Sequence, residues 1–159
     1  MFQRSDNFSA SDRQSWLGLL ARAPQPMLES ALDALPRQSH TWLRRPETGL
    51  VMVQGRIGGT GNRFNLGEMT VTRCALRLSG GICGVGYVQG RSHRRAELVA
   101  TADAYMQIDT FRDYLDRVLI SPVRGSVEQE NRERRRKIQA TKVDFFTVAR
   151  EATESAGAA

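Results

Sequence analysis

Histidine, cysteine and lysine are nearly missing from this sequence, at two residues each in 159. His40 and His93 are far apart, and Cys74 and Cys83 match no zinc-ligand spacing with them, so no bound metal is expected. The cysteines fall on neighbouring strands joined by the Ser79-Gly80-Gly81 turn, and no plausible antiparallel register sets them directly opposite. Both are read as free thiols, which suits a reducing compartment. Long apolar runs are missing too. Nothing approaches the roughly 18 to 20 consecutive apolar residues that cross a bilayer, and the opening MFQRSDNFSA has no apolar signal core. A soluble, cytoplasmic chain without membrane contact is expected.

Against two lysines stand 21 arginines, which with 17 acids give a formal charge of +6. Guanidinium groups bind phosphate and phosphonate oxygens in bidentate fashion. The balance therefore invites an anionic partner: a nucleotide, a phosphorylated metabolite, nucleic acid or an acidic protein surface. A solvated basic face that reflects codon usage is the alternative.

Ser11 and Gln14 form a capping-box pattern ahead of the apolar stripe Trp16, Leu19 and Leu20. Pro24 stops that helix, and Pro26 opens a second carrying Leu28, Ala31, Leu32 and Leu35. An N-terminal helical hairpin is expected. From His40 the period is two: HTWLRR, a turn at Pro46 to Gly49, LVMVQGRI to Ile57, a long strand from Gly67 to Leu78, and Ile82 to Gly90. These segments predict an α+β fold with an antiparallel four-stranded sheet, a meander with helices packed on one face.

Helical spacing returns from Arg91 to about Gln107, burying Leu98, Val99, Ala102, Tyr105 and Met106, and again over Phe111 to Leu119, burying Phe111, Leu115, Val118 and Leu119. Pro122 and Gly125 mark a break. Beyond it a C-terminal helical arm, about 123–151, carries NRERRRK and ends in Val143, Phe145, Phe146 and Val148. That apolar cluster reads as an anchor to a partner chain, or as a cap on this chain's own sheet. Residues 1–151 are expected as a single domain and 152–159 as a disordered tail.

Two constellations are suited to an anion. In RIGGTGNRFN, the unobstructed backbone of Gly58 and Gly59 with Thr60, Arg56 and Arg63 could cradle an oxyanion, although a flexible strand connection has the same spacing. It is not a Walker motif. The helix near Ser92 carries Arg91, His93, Arg94 and Arg95 against the positive end of its dipole, a penalty of roughly 0.3 to 1 kcal/mol each when exposed. A phosphate or phosphonate, an acidic partner, or carboxylates of this chain such as Glu97 would relieve it. Glu68 has no second acid, histidine or serine spaced to pair with it and is expected in an ion pair with an arginine. No catalytic residue is assigned. The run Arg132 to Lys137 could track phosphates, but helix-turn-helix, zinc-finger and RNP signatures are missing, so nucleic acid is not expected as a partner.

Taken together, WLRRPETGLVMVQGRIGGTGNRFNLGEMTVTRCALRL (Trp42 to Leu78), GYVQGRSHRRAELVATADA (Gly86 to Ala104) and TKVDFFTVARE (Thr141 to Glu151) closely resemble the phosphonate-metabolism PhnG family, the G subunits of bacterial carbon-phosphorus lyase. The resemblance covers most of the chain from about Asp12 onward. It implies an accessory subunit of a core complex with the H, I and J subunits, assisted by the L subunit. In that family the complex transfers an alkylphosphonate onto the ribose C1 of ATP and releases adenine, giving a ribose 1-phosphonate 5-triphosphate. It further implies that ATP is a substrate of the complex, that no cofactor is bound by this chain alone, and that the isolated chain is inactive or self-associates. The family supplies no catalytic residue to carry over. An independent phosphate- or nucleotide-binding module is the alternative.

Overall fold

The structure, a computed structural model, describes residues 9–141. Helix α1 (Ala10–Leu20) opens on Ser9, three residues before Asp12, and not on Ser11. The Asp12 N–H donates to the Ser9 hydroxyl while the Ser9 N–H donates to the Asp12 carboxylate. The Ser9 backbone and hydroxyl donors hold that carboxyl below its ordinary pKa. Helix α2 (Gln25–Asp33) follows with Pro26 in its first turn. The expected helical hairpin is present, with Trp16, Leu20, Leu28 and Ala31 buried.

The sheet corrects one expectation. It has three strands, β1 (His40–Arg56), β2 (Arg63–Leu78) and β3 (Cys83–Gln89), antiparallel in the order β1-β2-β3, and not four. Pro46 to Gly49 does not reverse the chain: Glu47 pairs with Arg73, Thr48 with Thr72 and Gly49 with Val71, so the two expected strands are one. Proline is tolerated because β1 lies at the sheet edge and the ladder slips between Arg44 and Glu47, which leaves Pro46 inside a bulge where no ladder donor is required. The glycine-rich segment is the tip of the resulting long hairpin. There Gly58 and Gly59 take φ of 59° and 81°, and the Gly61 N–H donates to the Ile57 carbonyl at 2.8 Å.

Helix α3 (His93–Met106) lies on the sheet and buries Leu98, Val99, Ala102, Tyr105 and Met106 as expected. Its approach to β3 depends on missing side chains. A Cβ on Gly84 would lie 2.0 Å from the Ala100 carbonyl oxygen, and one on Gly86 would lie 2.1 Å from that of Ala96. Helix α4 (Asp109–Leu115) passes through a π-helical turn (Asp116–Ile120) into α5 (Ser121–Ala140). Pro122 therefore ends nothing. The Ser121 N–H reaches back five residues to the Asp116 carbonyl, and this wider turn accommodates the proline ring that an α-helical turn would exclude. The wider turn also shifts the helical phase, so Val118 is 38% exposed while Ile120 and Val123 are buried.

The chain divides into two compact units, one ending at Val127 and one beginning at Glu128. Described residues from Glu128 onward are exposed, as their polar sequence requires. The apolar cluster Val143, Phe145, Phe146 and Val148 and the tail lie outside the described residues.

Candidate functional site

Side chains from β1, β2 and α3 meet in one ordered hydrogen-bond chain. The fully buried Thr72 donates its hydroxyl hydrogen to the Gly90 carbonyl at 2.7 Å. That hydrogen is then spent, so the Thr48 hydroxyl, 3.1 Å away, must donate to Thr72. The Thr48 oxygen is left to accept from His93 Nε2 at 3.1 Å. The chain's direction thus makes His93 Nε2 the donor and leaves Nδ1 outside the hydrogen-bond chain. Beside it, Glu47 accepts from Arg73 Nε at 2.7 Å and forms an ion pair with Arg44, whose Nη1 lies 3.3 Å away. All three side chains are about half exposed, so each pair contributes little to stability.

The expected anion ligands fall into two separate groups. Arg56 and Arg63 face each other as a register pair at the hairpin tip, with Gly58, Gly59 and Thr60 between them, and Arg56 donates to the Gly61 carbonyl at 3.3 Å. Arg91, Arg94 and Arg95 stand at the start of α3. The Gly90 N–H donates to the Thr70 carbonyl, and Thr70 lies seven residues along β2 from Arg63. At about 3.3 Å per residue the groups are roughly 23 Å apart along the strand, so no single phosphate touches both.

At α3, Ser92 caps the helix by accepting from the Arg95 N–H. Arg94 lies 3.3 Å from Glu29 on α2 and 3.8 Å from Glu97. Arg95 donates to the Ala21 carbonyl at 2.6 Å, at the negative end of the α1 dipole. Two of the three arginines thus have acceptors within this chain, while Arg91 is exposed. Glu68 is exposed opposite Met52 and has no ion pair among the described residues; Arg73, near it in sequence, pairs with Glu47 instead.

One constellation escaped the sequence reading. Asp103 is fully buried in α3, yet it accepts from Arg13 Nη2 at 2.6 Å, Trp16 Nε1 at 2.9 Å and the Val85 N–H at 2.9 Å. Arg13 Nη2 and Gln107 Nε2 both donate to the Cys83 carbonyl. One carboxylate thereby ties α1 and the open edge of β3 to α3, and with its donors in place its role is structural. The signal was a lone acid inside the apolar run LVATADAYM.

Comparison with known proteins decides the family. The family described as phosphonate metabolism protein PhnG matches residues 11–151. The chain belongs to the PhnG family. A curated PhnG relative, the alpha-D-ribose 1-methylphosphonate 5-triphosphate synthase subunit PhnG of Rhizobium meliloti (strain 1021), is 42% identical over 147 residues, covering 92% of this chain and 94% of the relative. The region matched to PhnG includes the His93 chain, both arginine groups and Asp103.

One further feature lies within the PhnG span. A cavity of about 710 Å³ beside the π turn is lined by Asp12, Trp16, Met106, Asp116, Arg117 and Arg124, among others, mixing acids, bases and apolar surface. Among the described residues no group of His, Cys, Asp and Glu side chains could hold a metal ion, and no helix is long and apolar enough to cross a membrane.

Proposed function

We propose that this chain is an accessory subunit of alpha-D-ribose 1-methylphosphonate 5-triphosphate synthase. In this role it supports transfer of an alkylphosphonate onto the ribose C1 of ATP with loss of adenine, in the cytoplasm and together with the H, I and J subunits, with the L subunit assisting. ATP and phosphonate are substrates of the assembly, and no cofactor is assigned to this chain. The observation that carries the reading is the relative named as a subunit of that synthase, matched over nearly the full length of both chains. The chemistry of the chain supports it. Arg91 is an exposed guanidinium beside the oriented His93, suited to steadying a phosphate or phosphonate group held mainly by another subunit.

The test is adenine release from ATP and methylphosphonate by the reconstituted G, H, I and L proteins, with this chain as the G component. Release should fall to background when the chain is omitted. Unchanged release without it overturns the reading, and so does saturable turnover by the chain alone.

A further inference from the structure

Strand β3 pairs with β2 only from Val71, opposite Gln89, to Arg77, opposite Cys83. Leu50–Arg56 and Arg63–Thr70 continue beyond it as a ribbon of two strands. Such a ribbon is at best marginally stable in water by itself. This one is also apolar in composition. Leu50 is 61% exposed, Ile57 71% and Leu66 66%, with Met52 and Phe64 exposed beside them. The ladder slips between Val53 and Gln54, so Leu66 has no cross-strand partner. On the face turned away from the helices the Phe64 ring lies over Gly55, where an added Cβ would be 3.3 Å from it. At the tip Arg56 and Arg63 stand directly opposite, a like-charge pairing that disfavours the hairpin, and neither has an ion pair among the described residues.

We infer that this ribbon is the docking element through which the chain joins another subunit of its complex, and that the receiving surface is apolar with carboxylates placed to meet Arg56 and Arg63. The inference rests on the proposed role as a synthase subunit. Apolar side chains on both faces need a surface that receives the ribbon between its walls, which a phosphate-lined nucleic acid does not offer. Charge argues against a second copy: a two-fold contact centred on the tip would bring four arginines together, whereas an acidic partner removes the Arg56–Arg63 conflict.

The test uses the full chain co-expressed with the companion subunits and purified through a tag on one of them. Leu66→Asp with Ile57→Asp, both at exposed positions, should reduce recovery of this chain in the complex by about tenfold or more. The melting temperature of the isolated chain should stay unchanged. Arg56→Glu with Arg63→Glu should also lose recovery, and Arg56→Lys with Arg63→Lys should retain it. Normal recovery of the Asp double variant would overturn the inference while leaving the subunit role intact. Failure of the wild type to join the complex would overturn both. A concentration-dependent dimer of the isolated chain, abolished by the Asp variant, would assign the ribbon to self-association and overturn the inference as well.

Discussion

The two halves of the β1–β2 hairpin are built from the same alternating pattern and meet opposite fates. Toward Leu78, β2 buries Cys74, Leu76 and Leu78 beneath α3, and β3 covers its far edge. Toward the tip, Leu50 and Met52 occupy the same kind of strand position, Leu66 sits at the ladder slip, and all three remain exposed. Period-two patterning therefore specifies that apolar faces exist without specifying what covers them. In one half the cover is supplied by this chain, through close packing and a buried carboxylate. The other half presents its faces outward.

If that division is real, damage to the packed half should cost stability and equivalent damage to the ribbon should not. The largest effect is expected at Asp103. Asp103→Ala removes the common acceptor of Arg13, Trp16 Nε1 and the Val85 N–H, and leaves the partly buried guanidinium without its carboxylate. A loss of about 3 to 5 kcal/mol is expected in urea unfolding of the isolated chain. A loss under about 1 kcal/mol would show that the α1–α3–β3 junction does not depend on this network.

A matched pair of glycine substitutions sharpens the contrast. Gly86→Ala drives a methyl group into the Ala96 carbonyl and should cost about 3 kcal/mol or more, because backbone must move. Gly67→Ala, in the ribbon, meets no atom within 4 Å and has no positive φ to strain. It should change stability by less than about 1 kcal/mol, on the stabilising side, because alanine restricts the unfolded chain. Equal costs at the two positions would erase the distinction between the halves.

These positions also show where the sequence was readable. The helical hairpin followed from apolar spacing punctuated by Pro24 and Pro26, the buried set of α3 from apolar spacing alone, and the RPETG, FNLGEMTVTR, GYVQGR and KVDFF blocks, in their order along the sequence, carried the family. The fourth strand failed because P-E-T-G has turn composition, while cross-strand pairing at Glu47, Thr48 and Gly49 decided the conformation. Pro122 failed as a helix stop because a π turn is invisible to a 3.6-residue period. Gly84 and Gly86, with Ala96, Ala100 and Ala104 at four-residue steps, did contain a signal for close helix-to-strand approach, legible only once β3 and α3 are known to be partners. The same limit applies to the site. Arg94 meets Glu29 across 65 residues and His93 meets Thr48 across 45, contacts that only the fold brings together.

The smallest expected effect probes the packed half through its buried thiol. Cys74 lies opposite Gly86, and Cys83 opposite Arg77, so the two remain free. Burial, reinforced by the charge of Glu97, pushes the Cys74 thiol from an ordinary 9.0 up to about 11. The folded state therefore holds this proton more tightly than the unfolded chain. Its contribution to stability is fully present below pH 9 and is lost as the pH rises from about 9 through about 11. Tyr105, also raised by burial, adds to the alkaline loss. Thermal melts across that window should show the wild type falling more steeply than Cys74→Ala, whatever constant offset the smaller side chain introduces. Parallel pH profiles would mean that the thiol is already solvated, and that the packed half is looser around β2 than the Gly86 contact requires.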